Sequence, residues 1–295
     1  KKAVVFSLSS SSGPAGSTGY IPSSAALSGG FAYTLEADVI LPRKLEETSD
    51  VYYNTNAISS SIFGIHGAPT SEADTTWPAN DSVNFQVYTV RDELDSPNVK
   101  FVLTGSSGGH VPLLETALFE EAYDNTRWNL SVRVKPQNYP LAYFASEAEN
   151  GNYTIVFSGL EAREGAIVNR FEITGTVTPP DAAFVTGSRR PFVGAHRTNF
   201  TGSLLHTSDV KIAATRFWLD YVDDVALVQH ALDSENFGAL QPSEYAFPFD
   251  TTASYGDIKK SETLTLNWEF SQNTGSNASG QFFIADESSG SAVPL

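Results

Sequence analysis

The chain has 295 residues, a net charge of −16 at pH 7 and no cysteine. The negative charge disfavours a nucleic-acid partner, because binding to phosphates rests on lysine and arginine. The absence of cysteine excludes structural disulfides, cysteine-ligated zinc sites and thiol nucleophiles, and no apolar run approaches the roughly 20 residues of a bilayer span, so we expect no membrane insertion.

Alternation of apolar and polar residues predicts about ten β-strands. In the first, residues 31–42, Tyr33 and Leu35 alternate with Thr34 and Glu36, which indicates a strand with one apolar face. Further strands are predicted at residues 60–68, 83–91, 99–104, 126–135, 141–144, 152–158, 167–173, 191–195 and 209–221. Short strands joined by turns rich in Ser, Gly and Asn are typical of an all-β sandwich.

One short helix is predicted to begin near Asp223 or Asp224. Either aspartate can cap the free amides of a first helical turn. Val225, Val228 and Leu232 follow at helical spacing. The chain therefore combines about ten strands with one helix.

The last fifty residues are predicted to form a separate piece. Residues 246–295 contain a linker and a β-hairpin, and residues 263–270 form its first strand. A lone hairpin is marginally stable, so it either packs onto the main domain, residues 1–245, or begins a further β module. We interpret the chain as a segment of a longer polypeptide.

Six short phrases occur in an order typical of one superfamily. They lie at residues 31–39, 62–66, 128–134, 192–195, 200–202 and 211–221, and the last runs into the predicted helix. In this order the chain resembles the LamG-like branch of the concanavalin A-like lectin–glucanase jelly rolls over about residues 1–240. The resemblance implies a two-sheet antiparallel jelly-roll sandwich with one short helix, followed here by a β-rich C-terminal extension.

A narrower resemblance rests on residues 193–202 and 216–221, with residues 236–238, 266–270 and 276–282 after them. Residues 193–202 read Val-Gly-Ala-His-Arg-Thr-Asn-Phe-Thr-Gly, and residues 216–221 read Arg-Phe-Trp-Leu-Asp-Tyr. Both are similar to modules in very long structural proteins of bacteriophages, especially marine phages. This likeness implies a capsid- or tail-associated part of a virion.

A catalytic carboxylate pair is not expected. Glycosidases of the superfamily carry a Glu-x-Asp-x-x-Glu pattern on one strand face, as nucleophile and general acid. Glu36 and Asp38 share a face, but Leu41 and Pro42 stand where the second glutamate would follow. We therefore predict that the chain is not an enzyme and that Glu36 and Asp38 lie on the solvated face of an outer strand.

Three of the four tryptophans divide into core and loop candidates. Trp128 and Trp218 lie in strand patterns and are predicted to be buried. Trp77 lies in a polar loop, and with Tyr52 and Tyr53 it is the candidate ligand-binding patch, because an exposed ring can stack on a sugar. The alternative for Trp77 is a loop anchor tucked onto a sheet.

Calcium is a candidate ligand, since Ca²⁺ binds clustered oxygens and LamG-like domains sometimes hold it on a loop rim. The principal candidate donors are Asp220, Asp223 and Asp224; for the last two, helix capping is the favoured interpretation. Further donors in loops are Asp74, Asp81, Asp92 and Asp95.

Two functional hypotheses follow. The first is a non-catalytic structural or adhesion module of a large virion protein, which contacts other virion subunits or a host surface glycan. The alternative is a carbohydrate-binding lectin module of a secreted bacterial protein. The corresponding locations are the virion surface and the extracellular space.

Overall fold

The computed structural model describes residues 32–43, 58–67, 85–94, 96–105, 110–137, 139, 152–177, 189–197, 204–218, 220–233, 263–270, 284, 286 and 288. Within these residues the chain is an all-β sandwich of two antiparallel sheets with one short helix. The predicted fold class is thereby confirmed. The candidate patch Tyr52, Tyr53 and Trp77 lies outside the described residues, as does the predicted strand at 141–144.

Thirteen strands are described. They are β1 (Tyr33–Leu41), β2 (Ser59–Gly67), β3 (Phe85–Arg91), β4 (Val99–Gly105), β5 (Leu114–Glu115), β6 (Thr126–Pro136), β7 (Tyr153–Arg163), β8 (Ala166–Val177), β9 (Arg189–Val193), β10 (Ala195–Arg197), β11 (Leu204–Thr207), β12 (Lys211–Trp218) and β13 (Leu264–Glu269). One sheet has the order β13-β12-β1-β6-β7-β8, and the other has the order β5-β4-β3-β2-β9. Strands β10 and β11 pair with each other.

The strand predictions agree with the structure where the alternation is long. The strand predicted at 126–135 is β6, and that at 99–104 is β4. The strand predicted at 191–195 is divided at Gly194, whose φ of +74° turns the chain between β9 and β10. Strands β5 and β11 were not predicted, because two to four residues carry too little periodicity.

The core lies between the inner faces of the two sheets. Side chains at alternate positions of each central strand point into it, as the period of a pleated strand requires. Among its buried members are Leu35, Val39, Phe63, Phe101, Trp128, Val132 and Phe157. Trp128 is completely buried, so its prediction as a core residue is confirmed.

The helix α1 (Asp224–Leu232) packs on the outer face of the six-stranded sheet. Asp223 is its N-cap and accepts a hydrogen bond of 2.9 Å from the amide of Ala226, which confirms the predicted start. Ala226 and Leu227 form a small second core with Trp218, Val222 and Leu264. No helix in the described part of the chain has the length and apolar character that a membrane span requires.

The strand predicted at 263–270 is β13, at one edge of the six-stranded sheet. It pairs antiparallel with β12, and Leu266 and Trp268 enter the main core. This part of the C-terminal extension therefore packs onto the main domain, where apolar burial stabilises it.

A buried salt bridge ties the start of β12 to the five-stranded sheet. The Asp209 carboxylate accepts hydrogen bonds of 2.7 Å from Arg91 and from Ser60, and one of 3.0 Å from Tyr123. The side chains of Arg91 and Asp209 are 1% and 0% exposed. The Arg91 guanidinium also lies 4.1 Å from the centre of the Tyr123 ring. We call these four residues the Asp209 cross-link.

The close approach of β2 and β3 at Gly64 leaves no room for a side chain. A Cβ at Gly64 would lie 2.4 Å from the carbonyl oxygen of Phe85 and 1.9 Å from Oε1 of Gln86. Because backbone cannot move aside as a side-chain tip can, we expect Gly64→Ala to lower the free energy of unfolding by about 1–3 kcal/mol. Urea unfolding of both proteins measures the difference, and equal midpoints would contradict this account.

Candidate functional site

The polar face of β1 is buried, so the prediction that Glu36 and Asp38 lie on a solvated face is wrong. Both side chains are 0% exposed. The reason is tertiary: β1 is a central strand flanked by β6 and β12, and the helix α1 lies on the same outer face. A period of two shows that a face is polar but not whether solvent or another element covers it.

Glu36 has partners on three different elements, α1, β6 and β12. Its carboxylate lies 2.8 Å from Nδ1 of His230 on α1 and accepts hydrogen bonds from Nε1 of Trp218 at 2.9 Å and Nδ2 of Asn129 at 3.2 Å. Arg216 lies further away, at 3.8 Å. Because an ionised carboxylate only accepts hydrogen bonds, Nδ1 of His230 carries the proton in this contact.

Asp38 is held mainly by Arg216 on the neighbouring strand β12. The guanidinium donates to Oδ2 of Asp38 at 3.0 Å, and Asn129 donates to Oδ1 at 3.2 Å. Glu36, Asp38, Asn129, Arg216 and His230 together form what we call the buried charge cluster. The His230 ring stacks on Trp218, with 5.4 Å between ring centres, so the cluster is sealed on the helix side.

The two carboxyl groups of this cluster have pKa values displaced in opposite directions. Burial alone would raise the pKa of Glu36, but His230, Arg216 and Trp218 outweigh it and lower the pKa to about 2. For Asp38, burial is the larger effect and raises its pKa, despite the attraction of Arg216. Pairs of carboxyl groups with oppositely shifted pKa values occur in active sites. Here both carboxyl groups are buried and form hydrogen bonds with other side chains of the protein.

A solvent-facing group of polar and aromatic side chains lies where the six-stranded sheet meets the start of α1. We call Lys135, Tyr139, Asp220 and Tyr221 the tyrosine patch; all four are half-buried. The hydroxyl of Tyr139 donates to Asp220 at 2.6 Å, and the two tyrosine rings lie 5.8 Å apart at an angle of 51°. The patch thus presents two rings around one carboxylate.

Cations hold the Tyr221 ring in place. The Lys135 ammonium lies 4.1 Å from the ring centre, and the guanidinium of the buried Arg133 lies 4.9 Å from it. Arg133 is itself fixed by ion pairs to Glu172 and Asp224. The ring is therefore anchored in one position before any ligand arrives.

Both tyrosines of the patch stay protonated at neutral pH. Burial, with the hydrogen bond to Asp220, raises the pKa of Tyr139 above its ordinary value of 10. Burial also raises the pKa of Tyr221, although Arg133 opposes the shift. The Tyr139 phenol thus keeps the proton that it donates to Asp220.

The structure places the three principal calcium candidates around the tyrosine patch, each with a protein partner. Asp220 accepts hydrogen bonds from the Tyr139 hydroxyl and the Tyr221 amide. Asp223 caps α1, and Asp224 pairs with Arg133. Among the described residues, no group of three or more acidic or histidine side chains is arranged to hold a metal ion.

The loop candidates for calcium are scattered. Asp92 accepts hydrogen bonds from the amide of Glu93 at 3.0 Å and from the side chain of Asn98 at 3.4 Å, as in a local turn. Asp74, Asp81 and Asp95 lie outside the described residues.

Tyr139, Tyr221 and Lys135 were not predicted as site residues. Tyr221 ends the strand predicted at 209–221, so its sequence context indicated only a core strand. Tyr139 lies 82 positions earlier in the numbering, and no local pattern joins the two rings. The sequence offers one signal for Tyr139 as a site residue: it lies three positions after Pro136, which ends the predicted strand.

Comparison with known proteins assigns the chain to no family. No family model and no curated protein matches the chain. Tailspike protein 2 from Escherichia coli O157:H7 bacteriophage CAB120 is similar over 73% of this chain and 26% of its own, at 11% identity and a TM-score of 0.40. The present chain therefore spans about a quarter of that tailspike.

Two further solved structures are similar at lower scores. The Ruminococcus gnavus IT-sialidase CBM40 matches over 78% of this chain and 97% of its own, at 10% identity and a TM-score of 0.30. The botulinum neurotoxin serotype G binding domain matches over 90% of this chain and 53% of its own, at 9% identity and a TM-score of 0.31.

Proposed function

We propose that this chain is a non-catalytic recognition module of a larger virion protein, associated with the capsid or tail, and that it binds a host surface glycan through the tyrosine patch. The observation that carries the proposal is the arrangement of Tyr139 and Tyr221 around Asp220. Aromatic rings with a polar edge are the usual anchors of binding surfaces, because they contribute contact area at little entropic cost.

The chemistry of the patch suits a neutral sugar. Asp220 accepts hydrogen bonds and Lys135 donates them, which matches the hydroxyl groups of a carbohydrate. The anchored Tyr221 ring offers a preorganised apolar surface, and preorganisation reduces the entropic cost of binding. The virion assignment rests on the resemblance of residues 193–202 and 216–221 to modules of long phage structural proteins.

The non-catalytic assignment rests on the buried charge cluster. Glycoside hydrolysis needs two carboxyl groups that reach the scissile bond. Glu36 and Asp38 are the pair that the strand pattern offers, and both are enclosed between the sheet and α1. Their role in this proposal is to fix the helix, and with it the Asp220–Tyr221 turn, on the sheet.

A glycan array probed with the full 295-residue chain, with and without calcium, tests the proposal. We expect Tyr221→Ala to weaken binding at least about tenfold, because it removes an anchoring ring. Tyr221→Phe is the matched control: it retains the ring and should bind nearly as well as the parent chain. Thermal unfolding of each variant establishes that the sandwich remains folded.

The same array separates the two candidate patches. Trp77→Ala tests the loop tryptophan that the sequence indicated. Loss of binding in Trp77→Ala but not in Tyr221→Ala would overturn the assignment to the tyrosine patch. Absence of binding to every glycan, with and without calcium, would overturn the glycan assignment and favour contacts with other virion subunits.

A further inference from the structure

The outer edge of β8 has no strand partner in the part of the chain that the structure describes. Ala166–Val177 is the last strand of the six-stranded sheet, and within the described residues only β7 pairs with it. The two strands are joined by Glu164 and Gly165, both at positive φ, in a tight two-residue turn. Monomeric proteins often protect such edges by keeping the strand short or by placing proline or lysine in it. Strand β8 is twelve residues long and contains no proline and no lysine.

Exposed apolar side chains flank this edge. Val168 on β8 is 48% exposed, and Leu113 and Leu118 near the edge of the other sheet are 65% and 38% exposed. A Cβ at Gly175 would lie 2.7 Å from Pro112, so the segment that carries Leu113 lies directly against β8. Exposed apolar groups beside an unpaired strand edge are typical of an interaction surface.

The charges of β8 are complementary to those of a second, antiparallel β8. Arg170 and Glu172 are two positions apart and therefore lie on the same face of the sheet. If a twofold axis passes at Phe171, Arg170 of each copy lies opposite Glu172 of the other. Directly opposite side chains approach within about 5 Å in an antiparallel pair, which makes both contacts attractive.

The neighbouring symmetric registers are repulsive. An axis at Arg170 places the two arginines opposite each other, and an axis at Glu172 does the same for the two glutamates. The charge pattern thus selects the register centred on Phe171, whose ring already packs on Phe101 and Phe157. Glu172 is 51% exposed while paired with Arg133, so it can accept a second cation.

We propose that β8 is a homotypic docking edge, at which a second copy of this chain adds its own β8 antiparallel about a twofold axis at Phe171. The two six-stranded sheets then form one continuous sheet. A self-complementary strand favours this partner, because an isologous twofold contact needs the same surface on both sides. This inference goes beyond glycan recognition and does not depend on it.

Sedimentation equilibrium of the full 295-residue chain over about 1–100 µM tests the inference. We expect a dimer, and we expect both Arg170→Glu and Glu172→Arg to weaken its association at least about tenfold, because each converts two attractive contacts into two repulsive ones. An equimolar mixture of the two variants should recover dimerisation, because every opposed pair is then attractive again.

Two controls distinguish loss of the dimer interface from damage to the fold. Glu172→Arg removes a partner of Arg133, so its far-ultraviolet circular dichroism and melting temperature are compared with those of the parent chain. Arg43→Glu makes the same charge change as Arg170→Glu at an exposed ion pair away from β8 and should leave the dimer intact. A parent chain that stays monomeric, or variants that dimerise as tightly as the parent, would overturn the proposal.

Discussion

Replacing Asp209 by asparagine is expected to lower the free energy of unfolding by about 3–5 kcal/mol. The substitution keeps the size of the side chain but removes its charge. Arg91, whose side chain is 1% exposed, then remains buried without its counter-ion. Breaking one side of a buried ion pair is costly, because the desolvation of the remaining charge is no longer offset.

The control for this prediction is Asp124→Asn. Asp124 pairs with Arg43 at 3.3 Å, but both side chains are largely solvent-exposed. Water screens that pair, so we expect a change below about 0.5 kcal/mol. Urea unfolding of the two variants and the parent measures both effects. Equal losses in the two variants would show that burial of the Asp209 cross-link does not set its contribution.

A double variant tests the origin of the Asp209 effect. Arg91→Met together with Asp209→Asn removes the orphaned cation and replaces it with an apolar chain of similar length. Since the desolvation penalty of Arg91 disappears, we expect the double variant to be more stable than Asp209→Asn alone. A double variant less stable than the single one would point to the packing of Arg91 on Tyr123 as the main contribution.

Glu36→Gln is expected to produce the second large loss, about 3 kcal/mol at pH 7. The pKa of Glu36 is about 2 in the folded chain, against an ordinary value of 4.5. Each pKa unit between the folded and unfolded states corresponds to about 1.4 kcal/mol of folding free energy, which gives the expected loss. The glutamine carries no charge to balance Arg216, whose guanidinium lies 3.8 Å from the carboxylate. Urea unfolding at neutral pH measures the loss, and Glu115→Gln, whose ion pair with Lys100 is exposed on both sides, is the control.

The pH dependence of this loss has a definite sign. Because folding depresses the pKa of Glu36, its stabilising contribution is complete above about pH 4.5 and disappears as the pH falls towards 2. The stability curves of the parent and of Glu36→Gln should therefore converge between these values. Asp38, whose pKa is raised, contributes in the opposite direction. Parallel curves over this interval would contradict the account of the buried charge cluster.

The buried charge cluster connects stability to the candidate site. Glu36 binds His230 near the end of α1, while Thr34 on the same strand donates to the carbonyl of Asp220 at 2.9 Å and accepts from the amide of Val222. The central strand β1 therefore fixes both the helix and the turn that carries Tyr221. A rigid support of this kind keeps a binding surface in its productive geometry.

The sequence alone determined most of the longer strands and the start of the helix. Period-two alternation located most strands of the sandwich, because a strand with one face on the core has an apolar residue at every second position. Burial of Trp128 and Trp218 followed from the same alternation. The start of α1 was equally local, since capping depends on a side chain and an amide three residues apart.

Only the tertiary structure decided how the faces and edges of those elements are used. Glu36 and His230 are separated by 194 residues, so no local pattern shows that the acidic face of β1 is covered by a helix. The meeting of Tyr139 with Tyr221 and the outer edge of β8 likewise follow from strand order. Strand order depends on long-range pairing, whereas alternation reports only that one face is polar, not whether solvent or protein lies against it.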